Sequence, residues 1–342
     1  LDVYKKETQI RSLKQNEEIQ VARISKQRSY IWSLVLIVLI AAVSAFLLLK
    51  ANNDKRKANL LLAKQTEETM HQKNIVEEKN KSITDSINYA RRIQHALLPS
   101  ELFLKKSIPD YFILYKPKDI VSGDFYWAMN AVNQENTNGK SNRDVFLLAT
   151  ADCTGHGVPG AFMSMIGITY LNEIVVEKGI SAPDKVMNEL RHRIIQALNQ
   201  DGVSEEGKDG MDMVLCSFDF KNLILEYSAA YNPFYIIRDN SLITNKADKF
   251  PIGKQSDEHE PFTLQTVKLN KGDMIYTFTD GYADQFGGPK GKKFKYKSLQ
   301  DTLLAIHNLS MDEQKKILDS TIESWRGDLE QVDDILIIGV RA

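Results

Sequence analysis

From Ser29 to Leu49 the chain runs for 21 residues without a charged side chain, SYIWSLVLIVLIAAVSAFLLL. A helix of that length spans roughly 30 Å at about 1.5 Å per residue, the thickness of a hydrocarbon core. Tyr30 and Trp32 stand at one end, where amphipathic rings favour a membrane interface. A core helix rarely runs so far without a strongly polar position, because its outer face must meet water. A secretory leader is a poor fit. The stretch is too long, starts 28 residues in and lacks a small-x-small cleavage site before the next charges. It is therefore read as a transmembrane helix over 29–49. Arg23, Lys26 and Arg28 precede it, whereas Lys50, Lys55, Arg56, Lys57 and Lys64 follow. The heavier positive side stays inside, so the expectation is a single-pass protein of the inner (plasma) membrane with its C-terminal part in the cytoplasm.

Segments of unlike texture flank the span. Residues 1–28 are polar and helix-prone, and the chain opens on Leu1 rather than Met. They are read as the end of a longer sensor. Residues 50–98 are charged and helix-prone, with neither Gly nor Pro before Pro99. Ile83, Ile87, Ala90 and Leu97 fall at i, i+4, i+7 and i+14, with weaker support from Leu62 and Val76. Lys73, Asn80 and Gln94 occupy facing positions, so the spacing predicts a weak coiled coil, a signalling linker and a homodimer formed through it. A solvated linker helix fits 51–80 equally well.

From residue 99 the texture becomes that of a folded domain, 99–342. Apolar, β-rich runs occur at 111–115, 145–152, 212–220, 223–230, 234–239, 274–280 and 335–340, punctuated by Gly, Asn and Asp. Helical segments are expected near 158–177, 182–199 and 311–325. Most strands follow one another directly, which favours antiparallel sheets over a parallel βαβ array. The fold class is thus α/β with antiparallel sheets. The 44 basic residues balance 45 acidic ones, which argues against a nucleic-acid partner. The two cysteines, Cys153 and Cys216, cannot form a disulfide scaffold.

Acidic residues recur beside the β-runs: Asp124 in SGDFYW, Asp152 in ADCTGHG, Asp280 in FTDGYAD, and Asp333 with Asp334 in VDDILIIGV. Any one of them is a natural turn former. Four clusters at the edges of buried strands are what Mg²⁺ or Mn²⁺ requires, since hard cations take carboxylate, carbonyl and water oxygens. Two other patterns mislead. GHGVPG at 155–160 spells a dinucleotide fingerprint, but the acidic residues about 20 positions on, Glu173 and Glu177, fall in a predicted helix rather than at a strand end. His95 sits where a histidine kinase carries its phospho-acceptor, but no Asn-rich helix or Gly-rich lid follows.

The ordered set SGDFYW, ADCTGHGVPGAFMSMIG, DGMDMVLCSFD, YSAAYNPFYIIRD, FPIGK, YTFTDGYADQFGG and VDDILIIGV resembles the SpoIIE-type bacterial branch of the PPM metal-dependent serine/threonine phosphatases. The resemblance covers 100–342 and implies a two-layer antiparallel β-sandwich flanked by helices. It further implies two Mn²⁺ or Mg²⁺ ions and a water, activated by them, that attacks a phosphoserine. Carried over by motif, Asp124, Asp152, Asp280 and Asp333 would be metal ligands, with Asp152 bridging and the carbonyl of Cys153 beside it. Asp334 would be a weaker ligand and Asp212 a member of a third, looser site. His156 would protonate the leaving serine oxygen or else order its loop. The implied substrate is a phosphoserine protein, a STAS-domain anti-sigma-factor antagonist. The chain departs from the family pattern at AAYNPF, with Tyr231 at the usual His, and at Ile335 and Leu336 after the closing Asp pair. Two other readings remain open at this point: an inactive signalling scaffold with a phosphatase fold, and a phosphoesterase acting on small molecules.

Overall fold

The polar N-terminal segment, the uncharged stretch and the charged linker form one helix, α1 (Asp2–Leu97). The computed structural model describes residues 2–133, 143–199, 209–254 and 260–342. The chain falls into two compact units, Leu1–Ser82 and Ile83–Ala342. In the first, every described side chain is exposed. Trp32 and Leu49 are each 71 % exposed, so the apolar belt has no protein surface against it. By length and composition this helix can cross a membrane.

The second unit begins with the last turns of α1. Gln94 is buried there, and Leu97 and Leu98 pack into the core. The carboxamide that the heptad spacing set facing a coiled-coil seam is turned inward, and of Ile83, Ile87, Ala90 and Leu97 only Ile83 is exposed. The order continues α2 (Glu101–Ser107), β1 (Asp110–Lys116), β2 (Phe125–Asn133), β3 (Arg143–Cys153), α3 (Gly157–Asn172) with a π-helical turn Glu173–Glu177, and α4 (Pro183–Asn199). Then come β4 (Gly210–Asp219), β5 (Ile224–Ala230), β6 (Phe234–Arg238), β7 (Ser241–Asn245), β8 (Ile252–Gly253), β9 (Gln265–Lys268) and β10 (Met274–Phe278). Last are α5 (Gly281–Asp284), β11 (Phe286–Gly287), β12 (Lys292–Lys293), α6 (Tyr296–Ile306), α7 (Met311–Arg326) and β13 (Ile335–Arg341).

The strands build two large antiparallel sheets, β1-β13-β10-β6-β7 and β2-β3-β4-β5-β9 with β8 paired to β4, and β11 and β12 form a separate two-stranded ribbon. Side-chain alternation explains the layering. In β3, Phe146 and Leu148 meet Ile236, Ile275, Leu336 and Ile338 of the other sheet. Leu147, Ala149 and Ala151 meet Ile168 and Leu171 of α3 and Leu190 and Ile194 of α4. On the far side Tyr276, Phe278 and Ile337 meet Leu299 and Leu303 of α6 and Leu318 and Ile322 of α7. The result is the expected sandwich flanked by helices. Helix α3 with its π turn is also apolar enough to qualify as a span, but half of it is buried in this core. The two sheets touch through a buried hydroxyl pair, Thr150 Oγ1 to Thr277 Oγ1 at 2.6 Å.

Candidate metal centre

Both sheets deliver aspartates to one end of the sandwich. Asp152 is the penultimate residue of β3, and Asp212 lies directly opposite it in the β3–β4 register. Side chains directly opposed on antiparallel strands are close neighbours, and a like-charged pair there is destabilising. Asp280 ends the turn from β10 into α5, and Asp333 stands just before β13. Asp152, Asp212, Asp280 and Asp333 line one open cavity of about 530 Å³, together with Cys153, His156 and Lys254. No lysine or arginine is ion-paired with these four carboxylates among the described residues. Their acidities register this crowding. Burial, then Asp280 and Asp333, push Asp152 up to about 8. Burial, then Asp280, push Asp212 up to about 7. Asp280 is raised by burial and by Asp333, offset in part by a hydrogen bond with Asp152.

Asp124 lies behind this cavity at the start of β2, 2 % exposed, and its Oδ2 accepts a 2.6 Å hydrogen bond from Thr279 Oγ1. Burial, then Asp152, raise its pKa well above the ordinary carboxylate range. Asp334 is engaged differently. Its Oδ1 accepts from the Lys118 amide at 2.7 Å and its Oδ2 from the Gly123 amide at 2.8 Å. It thereby pins the segment that leads to Asp124. The Cys153 thiol is buried and burial pushes it up, so it stays neutral. Its carbonyl approaches Gly123, and a Cβ added to Gly123 would lie 3.3 Å from it and 2.5 Å from the Gly155 carbonyl. Gly160 closes the same knot, since a Cβ there would sit 2.2 Å from the Gly155 carbonyl. Close approach of three backbone segments thus needs glycine at 123 and 160.

His156 is the N-cap of α3 and is partly exposed. Its Nδ1 lies 3.0 Å from Asp119 Oδ2. Asp119 gave no sequence signal, because it sits in a loop with no strand beside it. Lys254, which forms no ion pair among the described residues, and Thr279 lie within FPIGK and YTFTDGYADQFGG, but the resemblance assigns them no role.

The donor set suits a hard divalent cation: carboxylates with a backbone carbonyl between them, crowded and not ion-paired among the described residues. The side chains do not close on a point as they stand. Among the described residues no three acidic, histidine or cysteine groups are near enough together to hold one ion.

The profile of stage II sporulation protein E (SpoIIE) matches residues 142–342. The chain belongs to the SpoIIE family. Its fold is similar to the SiaA PP2C domain of Pseudomonas aeruginosa, at 28 % identity and a TM-score of 0.65, over 77 % of this chain and 98 % of that one. It is also similar to the PP2C phosphatase domain with a regulatory fragment of SpoIIE from Bacillus subtilis, at 19 % identity and a TM-score of 0.52, over 68 % and 62 %. The RsbU and RsbW domains of a Mycobacterium tuberculosis protein match at 19 % identity and a TM-score of 0.51, over 68 % and 59 %. No curated protein sequence matches the chain. The family and the fold make the domain homologous to PP2C-type serine/threonine phosphatases.

Proposed function

We propose that this chain is a membrane-anchored, metal-dependent protein-serine/threonine phosphatase whose catalytic domain lies in the cytoplasm. One observation carries the reading: on a PP2C-type fold, four aspartates from both sheets share a cavity, and none of them is ion-paired with a lysine or arginine among the described residues. Asp124, Asp152, the Cys153 carbonyl, Asp280 and Asp333 would hold two Mn²⁺ or Mg²⁺ ions. Asp212 would add a third, looser site, and Asp334 acts by fixing the loop before Asp124. Bound divalent cations supply an acidified water and offset the charge of a phosphoryl group. The protein's own groups do the rest. Asp119 holds His156 at the cavity rim, where the imidazole can pass a proton to the leaving serine oxygen. Buried Cys153, a neutral thiol, has no nucleophilic part.

The substrate is a phosphoserine protein, of the STAS-domain antagonist kind that the family resemblance implies. The uncharged, fully exposed stretch 29–49 anchors the chain, and the exposed Ile83 offers a contact for a second copy. The test is Mn²⁺-dependent hydrolysis of p-nitrophenyl phosphate and of a phosphoserine protein by the full chain in detergent micelles. Turnover that is abolished by Asp152→Asn and by Asp280→Asn supports the enzyme. Absent or metal-independent turnover in the wild type supports the scaffold. Turnover of free phosphomonoesters alone, with the phosphoprotein untouched, supports a small-molecule esterase.

A further inference from the structure

A second cleft opens beside the aspartate cavity. It is lined by Tyr231, Asn232, Pro233, Tyr235 and Tyr296, and it shares Asp212, Asp280 and Tyr231 with its neighbour. Two of its aromatic walls are set by unusual backbone. Tyr231 has φ +54°, and Lys295, which precedes Tyr296, has φ +75°. Both lie in the left-handed region that disfavours side chains other than those of Gly, Asn and Asp. Asp239 and Asn240 also have positive φ, but they make the tight turn between β6 and β7. Tyr231 is the middle residue of a three-residue turn in which the Asn232 amide donates to the Ala230 carbonyl at 2.6 Å, and its side chain is 44 % exposed between the two cavities.

The cleft also holds an unmet polar group. Asn232 is 7 % exposed, and its Nδ2 is buried with no hydrogen-bond partner among the described residues. A buried donor left unpaired is costly, and a ligand carbonyl that satisfies it binds about tenfold more tightly for each ~1.4 kcal/mol recovered. The Tyr296 hydroxyl stays protonated, because burial and the nearby Asp280 and Asp284 oppose its ionisation. The surface therefore combines aromatic faces, a proline and neutral donors beside the shared Asp212 and Asp280. That chemistry suits an extended peptide, whose backbone carbonyls seek donors and whose side chains seek apolar faces.

Resting on the phosphatase reading, we propose that this cleft binds the extended peptide segment flanking the phosphoserine, with Asn232 Nδ2 donating to a substrate carbonyl and Tyr231 as the dividing wall. The cleft is continuous with the aspartate cavity, so a phosphoserine in one brings its own chain to the other.

The experiment uses the full chain in detergent micelles with Mn²⁺. Turnover of a degenerate phosphoserine nonapeptide library is compared with that of N-acetyl-phosphoserine amide and of p-nitrophenyl phosphate. In the wild type, kcat/KM for the nonapeptides is expected to exceed that for the capped amino acid at least tenfold. In Tyr231→Gly and Asn232→Ala the ratio of nonapeptide to p-nitrophenyl phosphate turnover falls at least fivefold, through KM. Tyr231→Gly also raises Tm, since glycine relieves the positive φ, whereas loss of a structural side chain would lower it. A fluorescein-labelled, unphosphorylated nonapeptide library reads the cleft without turnover. Saturable anisotropy that weakens in both variants supports the cleft even where the phosphatase reading fails for lack of turnover. No saturable binding, or equal binding in wild type and variants, overturns the cleft whatever the activity; so does a nonapeptide preference that the variants retain.

Discussion

Replacing Gln94 by Ala should loosen the domain and its cation site together. Gln94 is 4 % exposed, on the last turns of α1. Its Nε2 donates to the Ser122 carbonyl at 2.6 Å and to Ser164 Oγ at 2.8 Å, and its Oε1 accepts from the Ser122 amide at 3.2 Å. Three hydrogen bonds at about 1 kcal/mol each give about 3 kcal/mol, and a fully buried Ser122 amide left without a partner makes that a fair central figure. For a domain of this size, about 2–4 °C of Tm per kcal/mol predicts a fall of about 6–12 °C. Ser122 lies two residues before Asp124, and Asp334 grips the same loop from its other side. With one grip gone, half-saturation by Mn²⁺ should rise at least threefold. Gln94→Glu is no rescue, because an anionic oxygen would face the Ser122 carbonyl. The assay is a thermal melt of the full chain in micelles followed by a Mn²⁺ titration of turnover. A Tm within 2 °C of wild type would refute the hydrogen-bond accounting. A lowered Tm with unchanged Mn²⁺ half-saturation would refute the link to Asp124.

Asp152 and Asp212 hold protons up to about pH 8 and 7 in the fold, whereas the unfolded chain gives them up near pH 4. Their contribution is full below that pH and is lost as pH rises through 7–8. In EDTA, Tm should therefore drop between pH 5 and 8.5, with Mn²⁺ restoring it most at the high end; a flat profile in EDTA contradicts the crowding. His156→Ala and Asp119→Asn should slow hydrolysis of phosphoserine at least tenfold more than that of p-nitrophenyl phosphate, whose leaving group needs no proton, and equal losses would remove the proton-donor role. Gly160→Ala drives a Cβ to 2.2 Å from the Gly155 carbonyl and should cost about 1–3 kcal/mol by overpacking, with Mn²⁺-dependent turnover lost; an unchanged melt and activity would show that the loop has room. Ile83→Asp, at an exposed site, should leave Tm unchanged and shift any dimer to monomer by light scattering, and an unshifted mass excludes that seam.

The strands that were legible are those buried on both faces, such as 145–152 and 335–340, where sheet meets sheet on one side and helix on the other. β2 was missed because Ala128, Asn130 and Ala131 dilute its apolar pattern. α6 was not legible although Leu299, Leu303 and Ile306 keep helical spacing, because an eleven-residue helix offers too few periodic positions to stand out from its surroundings. The aspartates were visible one by one, at strand ends. Their pairing across the β3–β4 register was not, since register depends on the partner strand. Asp119 and Asn232 lie in loops whose positions only the packed chain defines. Gln94 carried a misleading signal: its heptad position suggested a seam between chains, while its hydrogen bonds run to the loop before Asp124 and to α3.

The Thr150–Thr277 hydroxyl contact lies two residues before Asp152 and three before Asp280, one threonine in each sheet. It works as a hinge pin set just inside a jaw. Beyond it, the two layers bring acidic groups together, Asp152 hydrogen-bonded to Asp280 across the gap, while the apolar core clamps them elsewhere. The spacing of the jaw is therefore not local to any loop. A substitution deep between the sheets, such as one that swells the contact of Leu148 with Ile275, would tilt one layer on the other and change the bite at the aspartates. Residues far from the cavity thus tune its chemistry through the angle between two sheets.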